Sequence, residues 1–186
     1  MAILLNHTSN LRLRLELLRR LSDGVRAPAS LALQVAVERY ARAQEGLRDE
    51  PSFVPLVALA EVLLHDLDLI RFLEELEVQL GQARATLSGT SPPPERAPEA
   101  ALEAGPGPTV FVRVQGGPEV FLAEVGIDLG CVLEPVGGAP GLPGEDAALF
   151  RFPLEIRALL AFSAALLDEF ARFPTDPALV EAGRAE

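Results

Sequence analysis

The sequence predicts an α+β chain: an antiparallel three-helix bundle at 1–87, a Pro/Gly-rich linker at 88–108, and a four-stranded antiparallel meander packed by one helix at 109–186. Three observations carry this reading. Leucine-rich segments before residue 88 fit the helical period. Residues 88–108 hold six prolines and three glycines in 21 positions. After residue 109 the apolar residues recur at every second position, which is the strand period.

The first element supports two periods. Leu11, Leu13, Leu15 and Leu17 alternate with Arg12, Arg14 and Glu16, as in a strand, while Leu11, Leu15, Leu18 and Leu21 fit a helix equally well. Thr8, Ser9 and Asn10 supply N-cap chemistry, and Leu and Arg are strong helix formers, so a helix over about 10–22 is expected. Ser22-Asp23-Gly24 ends it. Pro28 suits a first helical turn and opens a second helix over 29–48, with Leu31, Val35, Val37 and Tyr40 on one side. Asp49-Glu50-Pro51 stops that one. Ser52 then caps a third helix running to Leu87, with Pro55 in its first turn and a stripe of Leu56, Leu59, Leu63, Leu67, Ile70, Leu73, Leu76 and Leu80. Leu64, Leu69, Phe72 and Val78 fall off this stripe and still need cover. They form the candidate interaction surface, with a second copy or another protein as the partner.

The linker cannot continue a helix or a sheet, and its triple proline favours a semi-stiff extended spacer. Its Pro94-Glu95-Arg96-Ala97-Pro98 spacing does not match a PxxP ligand. Beyond it, TVFVRVQ (109–115) and EVFLAEV (119–125) read as strands joined through Gly116-Gly117, a tight-hairpin signal. A third strand is expected at 127–133, a Gly/Pro-rich loop at 135–146, and a fourth strand at 149–152. Pro153 opens a helix over 154–173, and a short helix near 177–182 follows. No internal sequence repeat connects the two halves.

Composition narrows the function. The 186 residues carry a formal net charge of −11, and all 16 basic side chains are arginine. Without lysine there is neither Schiff-base chemistry nor a Walker A phosphate loop. Asn occurs only at positions 6 and 10, so the missing lysine reads as codon usage in a high-GC bacterial genome. Cys131 is alone, which excludes an intramolecular disulfide. The apolar residues 2–5 are too short for a secretory leader, and the run 158–167 is about half a membrane span, so a cytoplasmic protein with no membrane partner is expected.

No catalytic, cofactor or metal residue is assigned. Glu61, His65 and Asp68 share a helical face at i, i+4 and i+7, but no second ligand group has metal spacing, and a solvated face with ordinary ion pairs accounts for them. Cys131 has no base partner in the sequence and reads as an inert thiol. Ser163 lies in apolar AFSAALL rather than in a nucleophile motif. The loop at 137–144 lacks the following helix N-terminus a phosphate cradle needs, and Glu145-Asp146 would repel an anion.

Charge is uneven along the chain. Residues 1–26 hold Arg12, Arg14, Arg19, Arg20 and Arg26 against Glu16 and Asp23, a net +3, leaving −14 over the rest. Such a segment can contact phosphates. No basic recognition helix follows it. The order of strands then helix in TVFVRVQGGPEVFLAEVGIDLG and ALFRFPLEIRALLAFSAALLDEF resembles one unit of the Whirly and PUR folds, over about 65 residues and without a shared motif. The resemblance implies single-stranded nucleic acid as a ligand. Phe111 and Arg113 share a strand face, with Arg151 expected nearby, as stacking requires. Residues 109–186 hold five arginines against twelve acids, which opposes this.

The sequence thus points to a non-catalytic interaction or regulatory protein, acting through apolar helical surfaces and self-associating. The second reading is a nucleic-acid-binding accessory factor using the arginines above with Phe111, Arg113 and Arg151.

Overall fold

The computed structural model describes residues 1–6, 8–21, 30–41, 52–92, 98–105, 110–116, 120–128 and 147–173. It is strand-rich, and the expected three-helix bundle is absent. Strands β1 (Ala2–Leu5), β2 (Leu11–Leu21), β3 (Ser30–Ala41) and β4 (Ser52–His65) form one antiparallel sheet in sequential order, followed by helix α1 (Asp66–Leu87). Strands β5 (Glu99–Ala104), β6 (Val110–Gly116), β7 (Phe121–Asp128) and β8 (Ala147–Leu154) form a second sheet of the same order, followed by helix α2 (Ile156–Phe170). Architecture therefore repeats as ββββα twice, although the sequence does not.

The bundle fails for a physical reason at each segment. In β2 the alternation of leucine with charge decides: Leu13, Leu15 and Leu17 are buried, and Arg12, Arg14 and Glu16 lie on the opposite face. Cross-strand pairing with β3 from Leu11 to Leu21 outweighs the helix propensity of Leu and Arg. In β3, Leu31–Leu33 and Val35–Val37 are buried on both faces, and such a run carries no periodicity that separates a strand from a helix. Pro55 sits in β4, the sheet edge, beside a register shift between Val37 and Glu38, where its missing N–H costs little. Of the expected third helix, only the part from Asp66 onward is helical.

The second half also departs from expectation. Glu99–Ala104, inside the expected linker, is the first strand of its sheet and pairs with β6 from Glu99↔Gln115 to Ala104↔Val110. Of the strand expected at 127–133, Ile127 and Asp128 belong to β7, which is continuous through Gly126, and 129–133 lie outside the described residues. Residues 129–146 and the helix expected near 177–182 lie outside the described residues.

The helices are exchanged between the halves. α1 packs on the second sheet against β5, and α2 packs on the first against β1. Gln79 of α1 donates to the Val114 carbonyl at 3.1 Å, and Glu75 accepts from the Ala101 N–H at 3.2 Å. From α2, buried Glu169 meets the Met1 nitrogen. Leu69, Phe72, Leu76 and Leu80 of α1, and Leu159, Phe162 and Leu166 of α2, thereby join both sheets' inner faces in a single core. Gly105 N–H donates to the Leu63 carbonyl at 2.7 Å, tying the two sheets directly. Asp66 and Asp68 in the first turn of α1 complement its dipole, and Gly89 at φ +72° ends it.

Candidate interaction surfaces

Among the described residues two kinds of surface remain once the core is closed: the outer sheet faces and the open side of the helix layer. The outer face of the first sheet is a lattice of cross-strand ion pairs. Arg12 bonds Glu38 and stacks 4.0 Å over the Phe53 ring, which also meets Tyr40 edge-on at 5.8 Å. Arg14 lies 3.5 Å from both Glu16 and Glu38. Arg19 bonds Glu61 at 2.7 Å, and this hydrogen bond, followed by the carboxylate's charge, raises the guanidinium pKa above its ordinary value. Opposite charges on neighbouring strands are where pairing places them, since β2 and β3 set Arg12 against Glu38.

Arg20 takes another role. A register shift between Leu17 and Arg19 turns it to the inner face, where it bonds buried Asp66 at 2.7 Å and donates to the Phe173 carbonyl. It therefore clamps the start of α1 to the segment just past α2. Arg26 lies outside the described residues.

On the outer face of the second sheet, Phe111, Arg113 and Arg151 do come together. The Phe111 ring lies over Gly126, its cross-strand partner, where an added Cβ would fall 2.1 Å from Cε1. The Arg113 guanidinium sits 4.8 Å from that ring and 3.6 Å from Glu99. Gln115 donates to Glu99 at 2.9 Å, and Arg151 bonds Glu124. All six described arginines of the nucleic-acid reading thus have a carboxylate partner within the chain.

The helix layer is different. Between α1 and α2 runs an open groove of about 570 Å³. Ile70, Leu73 and Leu80 line one wall and Leu160, Leu167 and Phe170 the other, with Gly81, Ser163 and Ala164 between them. Glu74, Glu77 and Arg84 stand along the α1 side. Leu167 is 56% exposed and Val78 57%. By contrast Leu64, Leu69 and Phe72 are fully buried in the core, so they form no surface. Leu166 is buried in the core, while its neighbour Leu167 faces outward.

The remaining candidates are dispersed. Glu61 and His65 lie on β4 and Asp68 on α1, so the shared helical face does not exist. His65 Nδ1 is 3.1 Å from Ser30 Oγ, its cross-strand partner. Among the described residues no three His, Cys, Asp or Glu side chains group as metal ligands, and no helix is long and apolar enough to cross a membrane. Cys131 and the 137–144 loop lie outside the described residues. Comparison with protein families, with curated proteins and with solved structures returns no match for the chain.

Proposed function

We propose that this protein is a non-catalytic interaction protein whose working surface is the open side of its helix layer. The observation that carries the reading is the groove between α1 and α2. It is lined by leucine, isoleucine and phenylalanine together with Gly81, Ser163 and Ala164, and leaves Leu167 more than half exposed. Grooves between paired helices accept the apolar face of another helix, with anchors at helical spacing. The polar groups along it, Ser163, Glu74, Glu77 and Arg84, include no base for a serine nucleophile of the His type.

A photo-crosslinking amino acid placed at Leu167, compared in cells with one at Leu122 on the outer sheet face, tests this. The expected result is protein adducts from Leu167 alone, lost when Gly81→Leu fills the groove. Absence of adducts at Leu167, or equal yields at both sites, overturns it.

A further inference from the structure

We infer that the groove's occupant is a second copy of this chain, seated about a twofold axis passing between Leu80 and Gly81; this rests on the helix layer being the working surface. Glu77 and Arg84 carry the inference. Both line the groove, and neither has an ion-pair partner among the described residues. They are two helical turns apart, about 10 Å, and so share one face. Their midpoint falls between Leu80 and Gly81. If α1 of a second copy crosses there antiparallel, each Glu77 stands opposite the other copy's Arg84, and symmetry makes the bridge twice.

Shape agrees with charge. At the proposed axis a Cβ added to Gly81 meets nothing within 4 Å, so the position lies open to a close backbone approach. The groove's other wall has the same plan, with Leu160 and Leu167 flanking Ser163 and Ala164. On the far flank of α1 a second depression of about 460 Å³ is lined by Val78, Gly81, Gln82 and Ala85, which gives the incoming copy a seat on both sides of the helix. A helix of the 22 residues in α1 is about 33 Å long, so an antiparallel copy centred on the axis runs alongside it for several turns.

Sedimentation velocity of the full chain from about 1 to 100 μM reads the outcome directly. The expected mass is twice the 19.9 kDa of the chain. Glu77→Arg and Arg84→Glu alone each set like charges against one another and weaken association about tenfold or more, while the two together restore it. Thermal melts by circular dichroism establish that each variant is folded. A single 19.9 kDa species at the highest concentration overturns the inference, as does a double variant no tighter than the singles, or single variants that leave association unchanged. If the chain is monomeric while Leu167 still crosslinks to another protein, this inference falls and the interaction reading stands.

Discussion

Arg20 and Asp66 bond at 2.7 Å across the seam where the first sheet, the start of α1 and the segment after α2 meet. Asp66 is 2% exposed, and Arg20 also reaches the Phe173 carbonyl. Removing one member strands a charge in a poorly hydrated place. Asp66→Ala is expected to cost about 3–5 kcal/mol of stability, measured by urea unfolding. Arg20→Met with Asp66→Leu recovers a large part of that loss, because an apolar pair leaves no charge behind. A loss below about 1 kcal/mol would show that the clamp is not structural.

Phe111 and Gly126 form a pair in which the ring occupies the space a side chain would fill. Gly126→Val displaces the ring from the sheet and separates it from Arg113. The expected destabilisation is about 1–3 kcal/mol. With Phe111→Ala already in place, the same change costs less, and the double-mutant cycle returns a coupling of about 0.5–3 kcal/mol. Additive effects would sink the idea.

Gly81 occupies the exposed interior of α1, with open space where its Cβ would stand. Helical glycine is disfavoured relative to alanine by about 0.5–1 kcal/mol. Gly81→Ala should raise stability by that amount in thermal melts made at low concentration, where association does not contribute. A decrease would mean the helix is packed at this position.

Arg12, Arg14, Arg19, Arg20, Arg113 and Arg151 have their charges answered by Glu38, Glu16, Glu61, Asp66, Glu99 and Glu124. Fluorescence anisotropy of a labelled thymidine oligonucleotide at low salt should therefore show no binding at micromolar protein. For these six arginines, neutralising a phosphate would mean displacing a carboxylate already in place. Binding that weakens steeply with salt, and weakens further with Arg113→Ala, would restore the nucleic-acid reading.

What the sequence made legible follows the period of each segment. Val110–Gly116 and Phe121–Asp128 alternate cleanly, and Leu17 with its arginine-flanked neighbours alternated too, but Leu and Arg also favour helices. In β3 the signal vanished because Ala32 and Ala36 are buried on the face opposite Leu31, Leu33 and Val35. β5 was hidden by composition, since Glu99–Ala104 is alanine and glutamate around a single leucine, between prolines, and gains its place by pairing with β6. The groove could not be read at all. It depends on α1 and α2 each lying on the other half's sheet, a long-range choice that no local pattern records.

That exchange also has a consequence in time. During synthesis β1 to β4 emerge first, yet the helix that packs on β1 and β2 ends at Phe170. Ala2, Leu4, Leu13 and Leu15 thus stay without that helix until α2 has left the ribosome. A chain built this way cannot settle half by half. Its first sheet must wait, and stay out of aggregates, for a helix still to be translated.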